Sequence, residues 1–310
     1  MSSILTNASA LSALQALTQT QSALQTTENQ VSTGLAVSTA ADNASYWSIA
    51  AQLNSDSGVV TAANQALSQS QAVLSTASSA ISSITSTINS IETALTQATN
   101  PGASINDIQT TLTSLGQQLQ DAVSGASFNG LNVLDGSQSA AASGGTGTLD
   151  FVAGFNASTT GGTINTIAFA TNALIASGTG SAGPATAGTG ILEGGTGTAA
   201  GAGTDLLTLG TTVTDAATAQ TALSGVATVL AAVTTYAATI GATQDRMTAA
   251  STFNSALTTN YATGVGALVD ADKNTASTRL QALQTQEQLG IQSLSIANQN
   301  SQLILKLFGG

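Results

Sequence analysis

Residues 53–99 read LNSDSGVVTAANQALSQSQAVLSTASSAISSITSTINSIETALTQAT. Positions alternating in steps of three and four form a largely apolar seam along this stretch. Its members are Leu53, Val60, Ala63, Leu67, Ser70, Leu74, Ala77, Ile81, Ile84, Ile88, Ile91 and Leu95. This spacing is typical of a helix that packs along a partner helix, here over about six heptads. We therefore expect one long helix, ended by Asn100-Pro101-Gly102 because proline has no N–H and disfavours helix in the residue before it.

The same alternation continues on both sides of this helix. It resumes directly after Pro101-Gly102, which predicts an antiparallel helical hairpin. Weaker seams, which include polar residues, occupy both chain ends. A helix with so narrow an apolar stripe needs a partner helix to cover it. The four seams are Ile105, Ile108, Leu112, Leu115, Leu119 and Ala122; Leu14, Leu17, Gln21, Leu24, Glu28 and Val31; Leu223, Val226, Leu230, Val233, Ala237 and Ile240; and Leu280, Leu283, Glu287, Gly290, Leu294, Ala297, Ser301, Ile304 and Phe308.

The charge distribution excludes several classes of function. The 310 residues include 4 Lys or Arg, 15 Asp or Glu, and neither His nor Cys, for a net charge of −11. The first cation is Arg246. A chain without His or Cys has no imidazole base, thiolate nucleophile, disulfide or His–Cys metal site. A surface so poor in cations does not suit a phosphate backbone, so we expect no nucleic-acid partner. We also expect no cofactor.

Targeting signals are missing from the sequence pattern. No run approaches the ~18 uninterrupted apolar residues typical of a membrane span, so we expect no membrane-spanning segment. The start, Met1-Ser2-Ser3-Ile4, has no basic region and leads into an amphipathic stretch, so we expect no cleaved secretory signal of the usual type.

The middle of the chain differs in composition from its ends. Residues 125–210 hold 20 of the 31 Gly, together with many Thr, Ser and Ala. Leu149–Phe155 and Ile164–Ala170 are short apolar segments around a Gly-containing turn, which predicts a β-hairpin. The fold predicted is mainly α: a long coiled-coil-like helical bundle formed by the N- and C-terminal segments, with a small Gly/Thr-rich β/loop insertion in the middle.

Four local features could carry chemistry, and each has a plainer interpretation. Residues 178–183 satisfy GxGxxG, but Pro184 follows where a dinucleotide fingerprint opens a helix. Asp270-Ala271-Asp272 could bind a hard cation, yet a solvated helix start explains it equally. Trp47 could stack on a sugar, although a packed hinge residue is the commoner role. Glu28 and Glu287 could be catalytic carboxylates, whereas polar seam members more often set helix register.

Four segments resemble bacterial flagellin of the alphaproteobacterial type. They lie in the same order as in that family and agree with the heptad seams, and the resemblance covers roughly residues 1–135 and 210–310. The segments are TGLAVSTAADNASYWSIA (33–50), FNGLNVLDG (128–136), IGATQDRM (240–247) and Asp-Ala-Asp (270–272).

The resemblance implies a structural subunit that polymerises into the extracellular flagellar filament for motility, with no catalysis and no metal. Residues 1–40 and 268–310 would form the filament core, residues 41–135 and 210–267 a helical rod domain, and residues 136–209 an outer β-hairpin and loop region. It also implies type III export and, as partners, further copies of the chain, hook-associated proteins, a filament cap and an export chaperone. The alternatives are a hook–filament junction protein of the same family and a surface adhesin or glycosidase.

The resemblance also assigns expected roles to residues of the terminal helices. Leu14, Leu17, Leu24, Val31, Leu294, Ile304, Leu305 and Phe308 are expected to support polymerisation. Gln288, Gln292, Gln299 and Gln302 are expected to line the central channel of the filament.

Overall fold

The computed structural model describes residues 7–137, 147–157, 162–175, 190–193 and 204–308, with side chains described as far as residue 299. The described parts are mostly helical. The helices are α1 (Ala8–Thr33), α2 (Ala44–Ala98), α3 (Ile105–Gly125), α4 (Leu209–Thr212), α5 (Ala216–Val269) and α6 (Lys273–Phe308). The strands are β1 (Ser127–Phe128), β2 (Leu131–Asn132), β3 (Gly147–Asn156) and β4 (Thr163–Thr171), and Ile191–Glu193 is a 3-10 turn.

The chain forms two compact units. Unit 1 consists of Met1–Ser57 and Thr259–Gly310, and unit 2 of Gly58–Thr258. The three layers expected from the family resemblance have other boundaries, and that layering stays a prediction.

The core of unit 2 confirms the long seam of residues 53–99. From Val60 onward every apolar member of that seam is buried, and α2 ends at Ala98, directly before the predicted break. Ser104 occupies the N-cap position of α3, and side chains of α2, α3 and α5 enter one buried cluster. The short connection between α2 and α3, and the core that the two helices share, agree with the predicted helical hairpin.

Two β-hairpins pack in unit 2. β3 pairs antiparallel with β4, which confirms the hairpin predicted at 149–170, while residues 158–161 of its turn lie outside the described residues. β1 and β2 join through Asn129 (φ 51°) and Gly130 (φ 80°), the two positive φ values that a type I′ turn requires. Tyr236 of α5 stacks on Phe169 of β4 with ring centroids 6.1 Å apart, and so holds the larger hairpin against the helices.

Unit 1 contains the antiparallel pair of α1 and α6. The Asn7 Nδ2 donates to the Ala297 carbonyl oxygen over 3.0 Å, and Gln21 Nε2 donates to Glu287 Oε1 over 3.2 Å. Residue numbers therefore rise along α1 as they fall along α6. The predicted α6 seam is buried or half-buried from Leu280 to Ala297, while the side chains of its later members lie outside the described residues.

The predicted seam of α1 is wrong at alternate positions, and the predicted seam of α5 is only half-buried at alternate positions. In α1 the prediction placed Leu14, Gln21 and Glu28 in the seam, but all three are exposed. The small residues directly before them, Ala13, Thr20 and Thr27, occupy the seam. In α5 the fully buried positions precede Leu223, Leu230 and Ala237, which are half-buried and pack against the core of unit 2. The observed seams are Ala10, Ala13, Leu17, Thr20, Leu24, Thr27 and Val31 in α1, and Ala219, Ala222, Val226, Val229, Val233, Tyr236, Ile240, Thr243 and Met247 in α5. Ala and Thr occupy such seams because small side chains let two helix backbones approach closely.

One described helix, Ala216–Val269, meets a simple length and hydropathy criterion for crossing a membrane, with a mean hydropathy of 1.6 over its most apolar 18 residues. Only 28% of that window is buried, but buried side chains from Ala219 to Met247 belong to the core of unit 2. A core helix of this composition passes the same criterion, so the finding is weak evidence for a membrane span.

Candidate assembly surfaces

The two connections of unit 1 bind each other through their backbones. Gly34 ends α1 with φ 75°, a conformation that glycine adopts without steric cost. The N–H groups of Ala36 and Val37 donate to the Val269 carbonyl oxygen over 2.6 and 3.2 Å, and the Ala271 N–H donates to the Gly34 carbonyl oxygen over 2.9 Å. Leu35 and Asp270 form an isolated antiparallel bridge. These bonds fix where α1 ends relative to where α6 begins.

Two exposed carboxylates stabilise the same connections. The backbone N–H groups and hydroxyls of Thr39 and Ser38 all donate to Oδ2 of Asp42 over 2.9–3.1 Å. These bonds, led by the Thr39 N–H, hold the pKa of Asp42 below its usual value. Asp272 accepts from the Thr275 hydroxyl over 2.7 Å and from the Asn274 N–H over 2.9 Å, and its pKa is lowered for the same reason. Asp272 thus acts as the N-cap of α6. This agrees with the interpretation of Asp270-Ala271-Asp272 as a solvated helix start.

The expected polymerisation residues fall into three groups. Leu17, Leu24, Val31 and Leu294 are half-buried on the seams of α1 and α6, and Leu17 packs on Gly290 of α6 in the same chain. Leu14 is 49% exposed and lies outside that contact. The side chains of Ile304, Leu305 and Phe308 lie outside the described residues.

The contact itself is close at Gly290. A Cβ added to Gly290 would lie 3.2 Å from Leu17 Cδ1, so the leucine packs directly on the α6 backbone. Where α1 ends and α6 begins, a Cβ on Gly34 would lie 3.8 Å from Lys273 Cε, which places the Lys273 stem across the end of α1.

Three of the expected channel residues, Gln288, Gln292 and Gln299, are exposed in the single chain. By helical spacing they lie on the side of α6 opposite the seam that contacts α1. The side chain of Gln302 lies outside the described residues. No charged residue occurs between Glu287 and Lys306, so this side of α6 is neutral.

Large apolar side chains remain open to solvent on both terminal helices. Their exposed fractions run from 49% to 69%, and they are Leu11, Leu14, Leu289, Ile291 and Ile296. Of these residues the sequence analysis predicted only Leu14, although the sequence contains a signal for Leu289 and Ile296. Leu289, Ser293, Ile296, Asn300, Leu303 and Leu307 form a second series in steps of four and three on α6.

The other residues that the sequence offered for chemistry can be placed only where the structure describes them. Among the described residues, no group of three or more acidic side chains is placed to hold a metal ion. Residues 178–183, with the GxGxxG pattern, lie outside the described residues. Glu28 is exposed, and Glu287 accepts a hydrogen bond from Gln21. Trp47 is 43% exposed, so the expectation of a packed hinge residue is wrong for the single chain.

Family models match both halves of the helical region. The bacterial flagellin N-terminal helical region matches residues 4–139, and the bacterial flagellin C-terminal helical region matches residues 223–308. The two matches lie on either side of the Gly-rich middle, as the sequence resemblance predicted.

Relatives match over the full length of the chain as well as locally. A flagellin of Brucella melitensis is 40% identical over 311 residues, covering 100% of both chains. Flagellin C of Rhizobium meliloti is 37% identical over 323 residues, covering 99% of both chains. Flagellin D of Rhizobium meliloti is 56% identical over 69 residues, which are 22% of this chain and 18% of the relative. Flagellins are structural subunits of the extracellular bacterial flagellar filament, and by these matches the chain belongs to the bacterial flagellin family.

Proposed function

We propose that this flagellin polymerises through the outward faces of α1 and α6. The observation that carries the proposal is the set of five exposed Leu and Ile side chains on these two helices, which remain open after α1 and α6 have packed together. Apolar side chains grouped on a helix face typically mark a contact with another protein. In a filament the neighbouring copies would cover these side chains.

The residues expected from the family divide between two tasks. Leu17, Leu24, Val31 and Leu294 hold α1 against α6 within one subunit, and this pairing presents the outward faces in a fixed arrangement. Leu14 contacts a neighbouring copy. By the family resemblance, Ile304, Leu305 and Phe308 contact an adjacent copy near the end of α6, so removal of residues 303–310 should abolish polymerisation.

The amides of α6 are proposed to face the central channel. Exposure of Gln288, Gln292 and Gln299, and the lack of charge between Glu287 and Lys306, support this role. A neutral, amide-rich wall would neither attract nor repel unfolded subunits during their passage. As the family resemblance implies, those subunits would arrive by type III export and assemble with hook-associated proteins, a cap and a chaperone as further partners.

The chain is proposed to have no catalytic activity. Flagellins are structural proteins, and this one has no His or Cys to serve as base or nucleophile. Deletion of residues 177–203 distinguishes the two roles. If the Gly-rich middle were a glycosidase or an adhesin, sugar cleavage or adhesion would be lost. If its role is structural, filaments should still form. Full-length similarity to two flagellins favours the filament subunit over the hook–filament junction protein.

Paired serine substitutions test the polymerisation surface. Leu14→Ser with Leu289→Ser alters the outward faces and leaves the α1–α6 contact intact, so the far-UV circular dichroism of the monomer should not change. Seeded polymerisation, followed by sedimentation and negative-stain microscopy, should fall at least about tenfold, the cost of losing interface anchors.

A matched control is Ile164→Ser, which alters an equally exposed isoleucine on β4 in unit 2. We expect this variant to polymerise normally. Filaments of the doubly substituted protein that form at the wild-type rate and critical concentration would refute the proposed surface.

A further inference from the structure

The turn between β1 and β2 contains the one Asn-Gly dipeptide of the chain, Asn129-Gly130. Both residues are exposed, and among the described residues Asn129 is the one residue other than glycine with a positive φ, 51°. A Cβ added to Gly130 would meet no atom within 4 Å. The peptide bond between the two residues is therefore open to solvent and is not crowded by neighbouring side chains.

An asparagine followed by glycine reacts with its own backbone. The Gly130 nitrogen attacks Cγ of Asn129, a new N–Cγ bond closes a succinimide ring, and the Cγ–Nδ2 bond breaks. The attacking nitrogen gives up its proton, and the leaving amide takes up a proton and departs as ammonia. Water then opens the ring at either carbonyl carbon and leaves aspartate or isoaspartate at position 129. Glycine permits the attack best, because no side chain crowds its nitrogen.

Other asparagines of the chain are held more firmly. Asn254 lies inside α5, where helical hydrogen bonds hold the backbone nitrogen that would attack. Asn132 is 4% exposed, its Nδ2 donates to the Val123 carbonyl oxygen over 2.7 Å, and its Oδ1 accepts from the Leu134 N–H over 2.9 Å. Asn129, by contrast, lies outside the helices and is exposed, so the fold favours reaction at this position.

Opening of the turn is the barrier that remains. A type I′ turn fixes the backbone on both sides of the reacting bond, so the Gly130 nitrogen reaches Cγ of Asn129 after the turn has opened. Two residue pairs hold the turn, Ser127 with Asn132 and Phe128 with Leu131. A hairpin this short has little stability of its own, and local unfolding is enough to open it.

We propose that Asn129 is a site of spontaneous deamidation in the folded protein, with water as the co-reactant and the β1–β2 turn as the gate. The reaction adds a negative charge at the turn. Isoaspartate also lengthens the backbone by a methylene group just before Val133, whose carbonyl oxygen accepts from the Tyr236 hydroxyl in the core. The proposal does not depend on polymerisation. In an extracellular fibre the product would accumulate with the age of the subunit.

Peptide mapping of the full chain measures the reaction. After incubation in mildly alkaline buffer, a protease that cuts before aspartate releases residues 121–134, which contain both Asn129 and Asn132. A mass gain of one dalton should accumulate at position 129 at least about tenfold faster than at position 132, which reacts only after a larger opening. No gain at position 129, or an equal gain at both positions, would overturn the proposal.

Two matched changes test the mechanism. Gly130→Asn keeps a residue type that tolerates positive φ but crowds the attacking nitrogen, so the rate at position 129 should fall at least about threefold. Urea below the concentration that unfolds unit 2 should raise the rate, because it opens the turn. An unchanged rate in Gly130→Asn would rule out attack by the Gly130 nitrogen, and an unchanged rate in urea would rule out the turn as the gate.

The effect of the product on β2 has a separate readout. Anion exchange enriches the modified chains through their added charge. The isoaspartate fraction should unfold at a lower urea concentration than unmodified protein, whereas Asn129→Asp, which keeps a residue suited to a type I′ turn, should unfold close to wild type. An isoaspartate fraction as stable as wild type would refute the effect on β2.

Discussion

Tyr236 offers the sharpest test of how unit 2 is held together. Its ring is 2% exposed, and its hydroxyl donates to the Val133 carbonyl oxygen over 2.9 Å. Tyr236→Phe keeps the ring contact with Phe169 and removes the hydroxyl. The buried Val133 carbonyl would lose this donor, which costs about 1–3 kcal/mol of unfolding free energy at neutral pH.

The same hydroxyl predicts a dependence on alkaline pH. Burial raises the pKa of Tyr236 far above its ordinary value of 10.0, an effect partly offset by the backbone N–H of Asn172. The pKa of Tyr236 is higher in the folded protein than in the unfolded chain. The stability that the protonated hydroxyl supplies is therefore complete below the pKa of the unfolded chain, and it is lost as the pH rises from that value towards the pKa of the folded protein. The wild type should therefore lose about 1.4 kcal/mol per pH unit relative to Tyr236→Phe above about pH 10.

Urea unfolding followed by circular dichroism at pH 8 and pH 11 measures both effects. Tyr236→Phe should be less stable than wild type at pH 8, and the gap should shrink by about 1.4 kcal/mol at pH 11. Tyr46→Phe, which removes a hydroxyl from a half-exposed ring, is the control and should match wild type at pH 8. A Tyr236→Phe variant as stable as wild type at pH 8, or a gap that stays constant with pH, would refute the reasoning.

Four further outcomes follow from the structure. Gly290→Val should push Leu17 away from α6, and amide hydrogen exchange along α1 should quicken; unchanged exchange would contradict the close contact. Asp42 has a lowered pKa, so the stability it supplies above pH 3.8 is lost as pH falls through its folded pKa, and acid melting curves of Asp42→Asn should show a smaller change than wild type. Trypsin should release no fragment that ends before Arg246, as mass spectrometry would reveal. Because the net charge of −11 repels neighbouring copies, added salt should speed polymerisation, and slower assembly in light-scattering traces would count against this.

The long seam of α2 could be predicted from the sequence because its pattern has high contrast. Between residues 74 and 95, Leu and Ile occupy every seam position except Ala77, and Ser, Thr and Asn fill most other positions. Only one face of such a helix can be apolar, so the buried set follows directly. The turn at Pro101-Gly102 was predictable for an equally local reason, since proline and glycine restrict or permit backbone angles by themselves.

The seams of α1 and α5 were harder because apolar candidates lie side by side. Ala13 adjoins Leu14, and Ala222 adjoins Leu223. Hydrophobicity favours the leucine, whereas close approach of two helices favours the alanine, and only the structure decides between them. Within the pair, Leu17 packs on Gly290, where the missing side chain makes room for it.

The proposed assembly surface was predictable in part. Leu14 and the three Gln residues of α6 followed from the resemblance, whereas the exposed Leu11, Leu289, Ile291 and Ile296 did not. The reason is physical: a seam read from one chain does not tell whether its partner helix belongs to the same copy or to another. The α1–α6 pairing resolves this ambiguity by using one seam of each helix within the chain.

Electron cryomicroscopy of seeded filaments tests the central claim most directly, that the terminal helices join the copies. A map that resolves side chains should show Leu11, Leu14, Leu289 and Ile296 in contact with neighbouring copies, and Gln288, Gln292 and Gln299 facing the central channel. A filament in which these leucines and the isoleucine face solvent, and the copies meet only through unit 2, would contradict the account.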